Sequence, residues 1–478
     1  SATFGRQLGE RFALRGSLGI NQADEFNETP LFQVPDYASF ESLEAALELR
    51  GALNEDFDFS LEATYANNER NELAGMYYFS DGYTELSSFK AELVGDLDVG
   101  VLTTRAYRNN ADVDMLYPAT NRVTVGQAEL LSQLSTRDTT RVAVEYRYNE
   151  MDSTGSDDWG RVYYHAMSAS AMWTRKLTDT LSATGAVRYD RLDAGRDASP
   201  DPSLFIFGQD DYDQEVSDFG YNFALVWHLT GNQTLRASTA RGLQVPSLID
   251  VGQTNDLGVG LGAITGNPYL DPTVMTAYEL AYSARLGIGR LEFALFRTEM
   301  EDYKAHPSLI LPSVLPPAAP VPQLVYQNFG NSDLTGAEIS LADSNEADAW
   351  RWRVAATVYE VEDDLTVNQD FDFYPIDFEA TTPSYRLKGD FGWSGDRVDL
   401  DVFASYAGEF DNPVLAFPFF DFQEIDTRFE VSARGRYHLT DSLQVSVNAA
   451  QANFGDGEQA YAGEPTEARV WVSLRAQR

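Results

Sequence analysis

Apolar and polar residues alternate along most of this chain, and helical spacing is almost absent. In the segment 398–406, Val398, Leu400, Val402, Ala404 and Tyr406 alternate with Asp399, Asp401, Phe403 and Ser405. Phe57, Phe59, Leu61, Ala63 and Tyr65 alternate with Asp58, Ser60, Glu62 and Thr64, and 221–229, 350–358 and 443–449 repeat the pattern. Successive strand side chains point to opposite faces, so each segment predicts a strand with one apolar and one polar face. A soluble sandwich alternates too, so the pattern alone does not choose a solvent. Length does: these segments run to roughly 10 residues or more, the span a tilted strand needs to cross a bilayer, against five or six in soluble proteins.

The connections alternate between short and long. Short turns fall at 8–10, 54–56, 95–98, 135–138, 178–180, 230–232, 287–289, 345–347, 394–396 and 440–442. Long loops fall near 20–42, 65–85, 107–122, 149–165, 191–219, 242–276, 300–333, 360–384, 407–427 and 452–467. One rim of tight turns and one of long loops is the asymmetry of an all-β, transmembrane antiparallel β-barrel with short periplasmic turns and long extracellular loops. A propeller would repeat at a fixed period with a signature in each blade, and none recurs. Tyr65, Tyr146, Tyr148, Trp173, Tyr189, Trp227, Trp393, Tyr406 and Tyr437 fall near strand ends, where such a barrel places its aromatic girdles. The apolar faces are expected in lipid. Arg236, Glu338, Arg386, Lys388, Asp390, Asp399, Asp401, Arg434 and Arg436 are expected inside, so that arginine is tolerated better at Asp401 than at Val402.

Composition narrows the function. The chain has 478 residues, 74 acidic and 35 basic side chains, a net charge of −39 and no cysteine. Such a charge repels phosphate, which excludes nucleic acid as a partner. The lack of cysteine excludes disulfides, thiol catalysis and Cys-ligated metal centres. The four histidines, His165, His228, His306 and His438, are scattered without metal spacing, and His228 and His438 sit beside short turns where they are expected to face periplasmic water. Neither a metal centre nor a nucleophile–base pair is indicated, so the chain reads as no enzyme.

Four motifs in register resemble the TonB-dependent outer-membrane receptors. They are Arg236 to Ser247 with its closing Pro246-Ser247, and Gly266-Asn267-Pro268-Tyr269-Leu270-Asp271-Pro272 followed by Tyr278-Glu279-Leu280. Asn328-Phe329-Gly330 with Gly336-Ala337-Glu338, and Asn453-Phe454-Gly455-Asp456, complete the set. Thr273 stands where the family has Glu. The resemblance implies a barrel domain over 1–478, of about 22 strands, in the outer membrane of a Gram-negative bacterium. Its partners would be outer-membrane lipid and lipopolysaccharide, a plug segment or separate plug chain, and TonB through that plug. The chain departs from the pattern in lacking the family's plug, in ending on Leu474-Arg475-Ala476-Gln477-Arg478 rather than an aromatic residue, and in its strand count. Ten turns and ten loops give 21 strands, whereas a closed bacterial barrel needs an even number. With Ser1 as first residue, the expectation is a processed or partial chain whose missing first strand lies between Ala2–Leu8 and 469–474.

Candidate contact residues lie in the long loops. Tyr77, Tyr78 and Phe79, then Trp159, Tyr163 and Tyr164, then Phe371, Phe373, Tyr374, Phe417, Phe419 and Phe420 offer stiff aromatic area to a ligand, or pack the loops together. Asp210, Asp211 and Asp213, and Glu362, Asp363 and Asp364, are dense enough in carboxylate for a structural calcium ion, the alternative being a solvated acidic surface. No other cofactor is indicated. The uncharged, Pro-rich stretch 307–322 either docks a surface protein or folds back. The resemblance favours a transporter that binds a scarce nutrient of the siderophore, cobalamin or oligosaccharide class. A passive porin-like channel and a surface scaffold without transport remain as alternatives.

Overall fold

The computed structural model describes residues 2–24, 39–74, 78–114, 118–153, 160–256, 262–304, 308–310, 322–343, 349–365, 377–416, 419–440, 442–453 and 468–476. Twenty-one strands form one sheet, from Ala2–Leu8 paired with Phe12–Asp24 to Leu443–Asn453 paired with Arg469–Ala476. Every pairing within it is antiparallel, each strand following its predecessor along the sheet, as short-turn and long-loop connections in alternation require. Among the described residues no pairing joins Ala2–Leu8 to Arg469–Ala476.

Register sorts the side chains. Val402 lies opposite Phe391 and Ala433, and Asp401 lies opposite Gly392 and Arg434, so apolar residues share one face and ionic residues the other. Leu225, Val354 and Leu400 on the apolar face are each about half exposed within the chain, at 48%, 52% and 49%. An apolar sheet face that no other element covers finds its complement in hydrocarbon. Trp173, Trp227, Trp350 and Trp393 stand on this face toward the short turns, with Trp350 and Trp393 rings 6.2 Å apart. Tyr146, Tyr189 and Tyr278 stand on it toward the long connections.

The short turns reuse one device, a side-chain oxygen that accepts backbone N–H groups two and three residues on. Asn54 Oδ1 accepts from Asp56 and Phe57 at 2.9 and 2.8 Å, Ser135 Oγ from Arg137 and Asp138, and Thr178 Oγ1 from Thr180 and Leu181. The long connections hold more strand than alternation predicts. Phe57–Ala74 and Tyr78–Leu97 stay paired out to Ala74 and Tyr78, through most of the expected loop 65–85. Phe410–Ala416 and Phe419–Ile425 form a hairpin within the expected loop 407–427. Above the bilayer both faces of a strand are wet, so the ladder continues where the hydrophobic alternation that reveals it has ended.

Candidate functional site: the outer cap and the polar wall

Two long connections, 242–276 and 300–333, build a second sheet above the strand ends. Thr254–Asp256 pairs with Ala263–Thr265, which runs parallel to Gln323–Val325, which in turn pairs with Ser308–Ile310. The first described residues of the Pro-rich stretch therefore fold back as an edge strand. Under this sheet lies Arg196, 3% exposed, at the end of the strand Leu181–Arg196. Its Nη1 donates to the Gly252 carbonyl and its Nη2 to Thr254 Oγ1, both at 3.1 Å, and its guanidinium lies 4.8 Å from the centre of the Tyr212 ring. That cation–π contact stabilises a charge removed from water, while burial pushes the Tyr212 phenol above its ordinary value. Gln323 is fully buried, donating through Nε2 to the Leu204 carbonyl and accepting the Thr265 hydroxyl through Oε1.

The residues that carry the family resemblance are the joints of this cap. Ser247 and Asp250 form a reciprocal cap on the helix Leu248–Gly252, satisfying its free N–H groups. Leu248 packs against Met151 and Val162. Gly266 approaches the Val251 carbonyl so closely that a Cβ there would lie 2.5 Å from the carbonyl carbon. Asn267 Nδ2 donates to the Tyr326 carbonyl at 2.9 Å. Asn328 accepts the Asp271 N–H through Oδ1 and donates through Nδ2 to the Asp302 carbonyl at 2.7 Å. Asp302 sits in the left-handed region, φ 54°, at the register shift between Gly289–Lys304 and Asn328–Ala342, so Asn328 pins a bulge,. Replacing Arg196 with Met keeps most of the side-chain length but removes the charge and its hydrogen bonds, at a local cost of roughly 2–3 kcal/mol. Limited proteolysis is expected to cleave the variant several-fold faster within 196–214 and 247–272 while the strands stay intact. Unchanged protection would show that the cap does not depend on this residue.

On the polar face, Arg351, Gly392, Asp401 and Arg434 form one row across four strands, continued by Asn448 and Trp471. Asp401 is 8% exposed and receives three guanidinium groups: Arg434 Nη2 at 2.8 Å, Arg436 Nη2 at 3.1 Å and Arg351 Nη2 at 3.2 Å. Arg351 reaches it over the strand between them because that strand presents Gly392, whose added Cβ would lie 3.0 Å from both Arg351 Nη2 and Asp401 Oδ1. Asp401 is therefore no tolerant site for arginine, in correction of the sequence reading: a fourth guanidinium would stand among three. His438, expected to face water, bonds through Nε2 to Asp399 Oδ2 at 2.9 Å. Further round the face Glu92 accepts from Arg105 Nε at 2.6 Å, and Glu92 also lines a concavity of about 690 Å³ with Glu10, Arg11, Glu48, Arg50, Glu62 and Lys90.

Of the aromatic contact candidates, Tyr77, Trp159, Phe371, Phe373, Tyr374 and Phe417 lie outside the described residues. Tyr78 and Phe79 open the strand Tyr78–Leu97, and Phe419 and Phe420 open Phe419–Ile425. Tyr163 and Tyr164 are not loop neighbours sharing a surface. They lie in the strand Arg161–Lys176, and consecutive strand residues face opposite ways,. Tyr163 stacks near Tyr148 and His165 on the outward side, whereas Tyr164 packs against Met151, Val162 and Leu248. Among the acidic candidates, Asp211 accepts the Gly208 N–H and the Tyr269 hydroxyl, and that bond raises the Tyr269 phenol. Asp363 Oδ2 accepts the N–H groups of Phe378 and Glu379. Glu362 and Asp364 lie in strand register with Asp333 and Asn331, and Asp210 lies in the first turn of the short helix Gln209–Tyr212, which Asp213 ends. Among the described residues no three carboxylates or histidines converge as a metal site.

The cap, the ion-paired face and the uncovered apolar face are the parts of an outer-membrane receptor. A family model for the TonB dependent receptor-like beta-barrel matches residues 2–452. The chain belongs to the TonB-dependent receptor family. No curated protein matches it in sequence. Solved structures match this TonB-dependent receptor barrel in fold at low identity. The siderophore receptor PirA from Pseudomonas aeruginosa is 13% identical over 99% of this chain and 75% of its own, with a TM-score of 0.72. The copper transporter OprC is 13% identical over 98% and 78%, with a TM-score of 0.74. The FrpB iron transporter from Neisseria meningitidis is 11% identical over 94% and 73%, with a TM-score of 0.70. The family consists of transporters and receptors of the outer membrane, not enzymes.

Proposed function

We propose that this chain is the barrel of an energised transporter that captures a scarce nutrient at the outer cap and releases it through the lumen toward the periplasm. The match to the receptor barrel over residues 2–452 carries this reading. The packed cap supports it, because a capture site gains from loops already held in place, and so does the polar inner face, which suits a wet passage. Siderophore, cobalamin and oligosaccharide are the cargo classes it proposes, with a plug in the lumen, TonB acting through that plug, and lipopolysaccharide against the apolar face. The test compares a deletion strain with its complemented parent for uptake of labelled ferric siderophore, cobalamin and maltodextrin, with and without a protonophore. One cargo is expected to depend on both the protein and the proton-motive force. Uptake that needs the protein but survives the protonophore would make it a passive channel.

A further inference from the structure

On the apolar face lies a groove of about 760 Å³ that crosses the strands from Leu181–Arg196 to Asn328–Ala342. It runs between two register rows. One leads from Ala183 through Leu225 and Ala237 to Leu295, the other from Phe223 through Thr239 to Arg297 and Thr335. On the strand Gln233–Gln244 both rows carry small side chains, Ala237 and Thr239. The neighbouring strands carry large ones beside them, Phe223 and Leu225 on one side and Tyr278 and Leu280 on the other. These four are exposed, so the hollow is open to whatever surrounds the barrel. Strands spaced about 4.8 Å apart give its course over six of them a length of roughly 24 Å, close to the ~30 Å thickness of a bilayer core. The groove also climbs. Ala183 follows the strand start Leu181, at a short turn, by two residues, whereas Arg297 follows its own strand start Gly289 by eight.

The upper end is polar. Arg297 pairs through Nε with Glu299 at 3.0 Å and through Nη2 with Asp333 at 2.9 Å. On the next strand Glu360 stands opposite Thr335 and Glu362 opposite Asp333, on the same face. One guanidinium therefore stands among four carboxylates. Arg241, two strands along the row from Glu299, is already held by Asp218 at 2.7 Å.

In a bilayer, apolar character alone selects nothing, because lipid tails are as apolar as the side chains; packing and polar contacts decide. A groove gives one chain more neighbours at contact distance than a flat face does. The surplus of carboxylate at its upper end repels an anionic headgroup and forms charge-assisted hydrogen bonds with an ammonium.

The geometry points to a lipid site, with one acyl chain in the groove and a headgroup ammonium among Glu299, Asp333, Glu360 and Glu362. It rests on the apolar face lying in lipid and is independent of what the barrel transports.

The purified chain, refolded in maltoside detergent with EDTA, is offered equimolar dipalmitoyl phosphatidylethanolamine and dipalmitoyl phosphatidylglycerol. EDTA removes divalent ions that would bridge carboxylate to an anionic headgroup. After gel filtration the bound lipid is extracted and counted by mass spectrometry. The ethanolamine lipid is expected at about one per chain and at least fivefold over the glycerol lipid. Equal retention, or a preference for the glycerol lipid, would overturn the inference. Ala237→Trp fills the groove and should lower ethanolamine-lipid retention at least fivefold. Ala356→Trp, on the same face but outside the groove, should lower it less than twofold. Equal loss from both would assign retention to the whole apolar face and overturn the inference. The triple variant Glu299→Gln, Glu360→Gln, Glu362→Gln should still bind lipid but bring the two headgroups within twofold of each other; an unchanged preference would remove the carboxylates from the site. Elution of the unaltered chain as a dimer that Ala237→Trp dissociates would make the groove an interface between copies and overturn the lipid site. The headgroup preference is read on the unaltered chain, so it stands whether or not the variants fold.

Discussion

Replacing Asp401 with Ala is expected to destabilise the folded barrel by about 2–3 kcal/mol, although the position lies away from lipid. Removing one partner of a buried ionic cluster leaves the others uncompensated, which costs roughly 3–5 kcal/mol when they are fully buried. Here the side chains of Arg351, Arg434 and Arg436 are 44%, 41% and 27% exposed, so water screens part of their mutual repulsion and the figure falls,. Urea-driven unfolding from lipid vesicles, followed by loss of the heat-resistant gel band, measures the change. The double variant Asp401→Ala with Arg434→Ala should recover part of the loss, because the repulsion it relieves exists only once the carboxylate is gone. Strictly additive losses would show that Asp401 does not hold the three arginines together.

Val402→Arg is the second large effect, expected at roughly 2–4 kcal/mol, the cost of a guanidinium on the lipid face near the bilayer centre. Its partner measurement is Ser405→Arg, three residues on and on the opposite face. Ser405 lies opposite Glu430 on the neighbouring strand, so an arginine there gains a carboxylate neighbour and should cost less than about 1 kcal/mol,. The same refolding assay reads both. Equal losses would mean that the two faces have been assigned the wrong way round.

The two faces were legible because a strand declares them at a period of two, whatever it pairs with. Alternation through Val398–Ala407 is enough to place Val402 and Asp401 on opposite sides, and Asn54, Ser135 and Thr178 mark turns by chemistry local to each. What Asp401 does on its side was not legible. Its arginines arrive from positions 50 and 33 residues away, through a register that only pairing fixes. The motifs at 247, 266–272 and 328–330 point to the correct loops but not to their shared sheet, since Asn267 and Asn328 act on backbone groups 59 and 57 residues away, which the sequence does not place. Tyr163 and Tyr164 show the limit most sharply. A loop boundary drawn at 165 instead of 161 turns two residues on opposite faces into one apparent patch.

The cap sheet has a further consequence for how the molecule assembles. Gln323 reaches Leu204 across 119 residues, and Thr265 reaches Gln323 across 58. Contacts so remote in the chain form only after the intervening strands have brought their ends together, because closing a long loop precedes any reward from it. The cap is therefore a late structure, and its resistance to protease during refolding serves as a clock for completion of the hairpins between residues 181 and 342. A cell that exposes this protein at its surface shows the cap only on molecules whose wall has already been built.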